Sequence, residues 1–159
     1  MGTIVDPEWL ITELPQSSPA VYTDEALPDS FDVREQWPDC AGVVNHIRDQ
    51  SNCGSCWAHG TTEALNDRLC INTIGRGAYT TLLSVADTTA CCDMDKCNSM
   101  GCNGGMIGQA WAWLDSEGAV TGGDYGTTGT CYNYTMPKCA HHVTSDTLPS
   151  CDDVKQVQP

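Results

Sequence analysis

Apolar residues first settle into a lasting helical period in the second third of the chain. From Ser55 or Cys56 to about Asn72, Ala58, Leu65 and Leu69 mark an inward stripe, Trp57 and Ala64 flank it, and Gly60 permits close approach of a neighbour. Residues 1–26 behave differently. They scatter Asp6, Glu8, Glu13, Asp24 and Glu25 around Pro15-Gln16-Ser17-Ser18-Pro19 with no lasting period, which predicts an extended leader. The pattern tightens from Leu27. Ser84-x-x-Asp87 reads as a capping-box-like start for a short helix ending near Cys91. From Gly105 to Glu117, Met106, Ile107, Ala110, Trp111 and Leu114 recur at helical spacing, and Gly118 supplies the stop. Beyond it Gly122, Gly123, Gly126 and Gly129 punctuate turns, without strand alternation and without an internal repeat.

A length of 159 residues fits one domain with a buried core. Eleven cysteines favour an oxidising compartment and disulfides over cytosolic metal or redox chemistry. The sequon Asn133-Tyr134-Thr135 points to the same secretory route and makes Asn133 a glycosylation candidate. A net charge of −14, with seven basic residues spread along the chain, argues against nucleic acid as a partner. Apolar runs are too short to cross a bilayer, and Met1 to Ala20 has neither a basic segment nor an apolar core of the signal-peptide kind. No membrane partner is expected, and Met1 reads as a reading-frame boundary rather than a natural start.

The candidate chemistry lies in Asp49-Gln50-Ser51-Asn52-Cys53-Gly54-Ser55-Cys56-Trp57-Ala58. Cys56 falls in the first turn of the predicted helix, where unpaired N–H groups and the positive end of the dipole favour a thiolate. Attack on a peptide carbonyl also creates an oxyanion, for which the Gln50 side-chain amide and the Cys56 backbone N–H are a natural pair of donors. The plainer reading makes Cys56 one more half-cystine and Gln50 a solvated loop residue.

The surrounding motifs decide between these readings. Leu27-Pro28-x-x-Phe31-Asp32-x-Arg34, Arg48-Asp49-Gln50, Cys53-Gly54-Ser55-Cys56-Trp57-Ala58 and Gly101-Cys102-Asn103-Gly104-Gly105 resemble the papain family of cysteine peptidases. Trp37-Pro38-x-Cys40 and Cys139-Ala140-His141-His142-Val143 narrow the resemblance to its cathepsin B group. The resemblance covers residues 27–151 and implies an α+β papain-like fold, here mainly its helical left domain over residues 27–159. Residues 1–26 then resemble the end of an inhibitory propeptide, with a mature start near Leu27.

By resemblance Cys56 is the nucleophile and Gln50 the oxyanion donor of an acyl-enzyme mechanism. Gly104 and Gly105 resemble the backbone strip that pairs with an extended substrate, and Met106 and Ile107 fall at the wall of the S2 pocket; plain helix core is the alternative for these two. Residues 139–151 resemble the occluding loop, in which His141 and His142 hold a substrate's C-terminal carboxylate, as imidazoles do when protonated in an acidic compartment. Asp49 matches the carboxylate that tethers the first of them. No arginine lies between Cys139 and Cys151, which implies a looser loop and more internal cleavage. His59 stands where the family commonly has an aromatic carbocycle.

The family's general-base His and orienting Asn belong to a second, barrel-like half, expected about 130 residues or more beyond the nucleophile. His46, His59, His141 and His142 do not fit that base, so the chain as it stands is expected to be inert. The resemblance pairs Cys40 with Cys70, Cys53 with Cys102, Cys92 with Cys97 and Cys139 with Cys151, leaves Cys56 free, and gives Cys91 and Cys131 partners beyond Pro159; a Cys91–Cys131 pair is the alternative. It further implies protein and peptide substrates, propeptide or cystatin-like inhibitors, no cofactor and no metal, and a lysosome-like acidic compartment or secretion. Two other classes stand beside it: a thioredoxin-like oxidoreductase using Cys53 and Cys56 as a dithiol, and a non-catalytic binding protein built on half the fold. A zinc site from Cys91, Cys92, Cys97 and Cys102 fits no paired C-x-x-C ribbon.

Overall fold

The computed structural model describes residues 2–4 and 28–157. The leader expected over 1–26 therefore lies outside the described residues except for 2–4. In chain order the elements are β1 (Thr3–Ile4), α1 (Val33–Gln36), α2 (Ala41–Val44), α3 (Cys56–Thr73), α4 (Val85–Cys91), α5 (Met94–Cys97), β2 (Gly105–Met106) and α6 (Ile107–Ser116). Among the described residues the sheet is one parallel pair, with Thr3 opposite Gly105 and Ile4 opposite Met106. Turns dominate after α6, where Ala140 and Ser150 form an isolated bridge that closes a loop.

α3 is the axis of the molecule. Its buried positions are Trp57, Ala58, His59, Thr61, Thr62, Asn66 and Cys70, which corrects the expected stripe: Leu65 and Leu69 are only half-buried. A polar face can be buried because each of its groups is paired. The Thr61 hydroxyl donates to the Trp57 carbonyl at 3.0 Å, and Thr62 meets Thr88 of α4 hydroxyl to hydroxyl at 2.7 Å. Asn66 Oδ1 accepts from the Leu83 N–H at 2.7 Å and from the half-buried Arg48 guanidinium at 3.1 Å, while its Nδ2 donates to the Thr81 carbonyl at 3.1 Å.

Around this axis Trp57, Ala58, Val85, Ala86, Ala110, Trp113, Leu114, Tyr134 and Met136 form the main core, and Cys40, Val43 and Cys70 form a smaller one. α4 starts where its cap requires, with the Ser84 hydroxyl accepting from the Asp87 N–H at 2.9 Å. The reciprocal half of the capping box is absent, because Asp87 Oδ2 instead accepts from the Val120 N–H at 3.1 Å. α6 begins two residues later than its period suggests, since Gly105 and Met106 are extended and paired with β1. Its buried residues are Ala110, Trp113 and Leu114; Ile107 is exposed, and half-buried Trp111 lies under the Arg68 guanidinium.

Candidate active site

Cys56 is the first residue of α3, is exposed and carries a free thiol. Two constraints fix its position. The Cys53–Cys102 disulfide ties the approach to α3 to the turn before β2, and the Gly54 N–H donates to the Cys102 carbonyl at 2.8 Å. One covalently stapled junction therefore carries both the thiol and the Gly104–Gly105 strip.

The strip depends on missing side chains. A Cβ added to Gly105 would enter the Trp57 indole, and Gly104 holds φ +115°, where L side chains are strained. The Met100 N–H donates to the Gly104 carbonyl at 2.8 Å, and the Met106 N–H donates to the Ser99 hydroxyl at 3.1 Å. The outward edge of the strip is occupied by the chain's own start: the Gly105 N–H donates to the Gly2 carbonyl at 2.9 Å. The Thr3 hydroxyl lies 3.5 Å from Cys56 Sγ, and a Cβ on Gly2 would overlap that sulfur.

A cavity of about 340 Å³ opens beside the thiol, lined by Arg48, Asp49, Gln50, Cys56, His59, Glu63 and His141. Cys56, His59 and Glu63 share one face of α3, as their spacing of three and four residues requires. Gln50 precedes a strained residue: Ser51 is buried with φ 56°, and its N–H donates to Asp49 Oδ1 at 2.7 Å. Asp49 Oδ1 also faces His141 Nε2 at 3.0 Å. Burial alone would push the Asp49 carboxyl up, but the hydrogen bonds from His141 and the Ser51 N–H outweigh it and hold the group below the ordinary carboxylate range. Burial pushes the Glu63 carboxyl up against the opposing pull of Arg48.

His141 and exposed His142 sit in the loop closed by the Cys139–Cys151 disulfide, and His142 itself is left-handed at φ 55°. His46 pairs with Asp124 at 3.3 Å, His59 with Ser55 and His141 with Asp49, so these three histidines are engaged away from the sulfur. Met106 is half-buried and Ile107 exposed beside the strip, so helix core does not account for them.

Four disulfides form: Cys40–Cys70, Cys53–Cys102, Cys92–Cys97 and Cys139–Cys151. Cys56, Cys91 and Cys131 are free, so Cys91 and Cys131 are not joined to each other. These pairs overturn the dithiol alternative, because Cys53 is bonded to Cys102 and cannot form a redox couple with Cys56. They also consume the thiols a zinc site would need. Among the described residues the one cluster with metal-ligand geometry is Cys139, His141 and Cys151, and its two sulfurs are already bonded to each other. Asn133, the glycosylation candidate, is half-buried and acts as a loop clasp: Nδ2 donates to the Thr127 carbonyl at 2.7 Å, and Oδ1 accepts from the Gly123 N–H at 2.8 Å.

The model of the papain family cysteine proteases matches residues 27–159. This chain belongs to the papain family of cysteine proteases. Within it the chain is cathepsin B-like. It is 41% identical over 157 residues to cathepsin B-like cysteine proteinase 5 of Caenorhabditis elegans, covering 98% of this chain and 44% of that protein. It is 44% identical over 130 residues to cathepsin B-like cysteine proteinase 4 of the same organism, covering 82% and 37%. Among solved structures, proCathepsin B S9 from Trypanosoma congolense superposes with a TM-score of 0.59 at 33% identity, over 76% of this chain and 39% of that one. The chain thus spans less than half the length of the relatives it matches.

Two parts of this papain-family site escape a reading of the sequence. Gly2–Ile4 carry no periodic signal, yet they occupy the strip. Tyr134 stands out in the sequence only as the middle of a sequon, yet it is buried against Ser55 and Gln50.

Proposed function

We propose that this chain supplies the nucleophile wall of a peptide-bond hydrolase working through a thiol acyl-enzyme. Cys56 attacks the substrate carbonyl, and the Gln50 amide and Cys56 N–H hold the resulting oxyanion. The amine leaves with a proton from an imidazole that none of the chain's engaged histidines provides, and water then releases the acid. The chain by itself is accordingly inactive. The observation that carries this reading is the seating of an extended segment along Gly105–Met106, directly across the sulfur of a free cysteine at the head of α3. The same seating supports residues 1–26 as the tail of an inhibitory propeptide. Gly104, Gly105, Met106 and Ile107 then form the substrate strip and its S2 wall.

The contact of His141 with Asp49 supports a second activity, release of C-terminal dipeptides, in which His141 and His142 hold the terminal carboxylate of the substrate. Protonated imidazoles suit an acidic, lysosome-like compartment or an acidic secretory setting, with protein and peptide substrates and cystatin-like inhibitors as partners. Asn133 stays a glycosylation candidate on the nascent chain, before its clasp forms.

Treatment of the complete protein with an epoxide-bearing peptide is expected to modify Cys56 alone; modification elsewhere, or none, sinks the peptidase reading. Asp49→Ala is expected to shift cleavage from dipeptide release toward internal bonds, about tenfold in the ratio of kcat/KM values. An unchanged ratio removes the tether from the mechanism.

A further inference from the structure

Behind the nucleophile lies a buried polar chain to which the mechanism above gives no task. Ser55, immediately before Cys56, is fully buried, and Tyr134 and His59 are nearly so. The Tyr134 hydroxyl lies 2.7 Å from the Gln50 backbone carbonyl and 2.8 Å from Ser55 Oγ. His59 Nδ1 lies 3.1 Å from the Ser55 carbonyl and 3.3 Å from Ser55 Oγ, and the His59 ring stands edge-on to Tyr134 at a centroid distance of 5.1 Å.

Donor counting gives this chain one direction. A carbonyl oxygen only accepts, so the single Tyr134 proton goes to Gln50. Tyr134 then has only lone pairs for Ser55, so the Ser55 proton points at Tyr134. Ser55 Oγ in turn has only lone pairs for His59, and the Ser55 carbonyl likewise only accepts, so His59 carries its proton on Nδ1. Burial agrees with these states: it depresses the His59 imidazole to about 4 and pushes the Tyr134 phenol up to about 12, so both stay neutral.

We infer that His59, Ser55 and Tyr134 form a one-way hydrogen-bond relay fastening the Gln50 backbone to the residue before the nucleophile, with Tyr134 as a positioning residue for the oxyanion donor. Gln50 is otherwise placed by a strained neighbour, since Ser51 sits in the left-handed region. A strained loop holds its geometry only when outside contacts over-determine it. The relay is such a contact, and it refers the loop to Ser55, the residue before Cys56. His59 suits this position because an aromatic carbocycle there has no donor for Ser55.

This inference rests on the peptidase reading, and a double-mutant cycle on the complete, matured protein separates the two. Tyr134→Phe is expected to lower kcat for a peptide amide about tenfold, part of the 10²–10³ that a whole oxyanion donor supplies, with KM within about twofold. In the Gln50→Ala background the same substitution is expected to cost less than about twofold, because its only route to the reaction is gone. Alkylation of Cys56 by iodoacetamide, which forms no oxyanion, is expected to stay within about twofold throughout and reports an intact fold. Ser55→Ala is the second probe, expected to lower kcat and to lose that effect beside Gln50→Ala. Equal losses in both backgrounds, or no loss beside native Gln50, overturn the relay while leaving the peptidase standing. Absence of hydrolysis by the unsubstituted protein, or an unchanged kcat in Gln50→Ala, overturns the peptidase reading or its oxyanion assignment, and the relay with it.

Discussion

His59 combines a titratable ring with burial beside the nucleophile, and the combination has a pH signature. Burial lowers its folded-state pKa from 6.5 to about 4, so as pH falls the unfolded chain takes up the proton first. Stability contributed by the neutral ring is complete above about 6.5, declines as pH falls toward about 4 and declines no further below it, a loss of about 3 kcal/mol. His59→Phe is expected to remove that part of the slope: melting temperatures at pH 7.5 and 4.5 should differ less in the variant than in the parent. Equal differences would mean that the ring is protonated in the fold. Asp49 shares this sense in a more acidic window, since its lowered pKa gives stability that is complete above the ordinary carboxylate range and lost as pH falls through and below it.

Within the elements, α3 depends on Asn66 more than on any leucine. The side chain is fully buried and serves Leu83, Arg48 and Thr81 together. Asn66→Ala strands the buried Leu83 N–H and removes one partner of the half-buried Arg48, for an expected loss of about 2–3 kcal/mol in urea unfolding. A loss below about 1 kcal/mol would show that water replaces the amide. α4 is legible from the sequence through its Ser84 cap, and α6 through its period and the glycine stop at Gly118. The buried face of α3 is not, because hydropathy ranks Leu65 and Leu69 above Thr62 and Asn66, whereas pairing with α4 and Arg48 reverses that order. The four-residue helices α1, α2 and α5 are shorter than a periodic signal requires. β1 is invisible for another reason: its two residues are extended only because β2 offers them an edge. The thiol, the glycine strip and the histidine loop are legible because each is a local motif, while Tyr134 enters the site through distances no local pattern encodes.

At the scale of the molecule, one cleft wall is assembled from chain segments far apart and already carries an occupant. Gly2 lies against the Cys56 sulfur without room for a side chain. Gly2→Val is therefore expected to lift residues 2–4 from the strip and to speed iodoacetamide alkylation of Cys56 severalfold, measured by mass spectrometry. An unchanged rate would mean that these residues do not shield the thiol. The polar seam of α3 has a consequence of another kind. Purely greasy helix faces tolerate axial rotation, since one methyl group replaces another at little cost, whereas bonds to α4, Arg48, Leu83 and Thr81 each have a direction and fix the helix in azimuth. With Cα atoms about 2.3 Å from the axis, a turn of about 20° would sweep the first residue by nearly an ångström, and the sulfur by more. Displacements of that size cost reacting groups about a hundredfold in rate. Thr62 and Asn66 thus act as an angular index for a thiol at the end of the same rod.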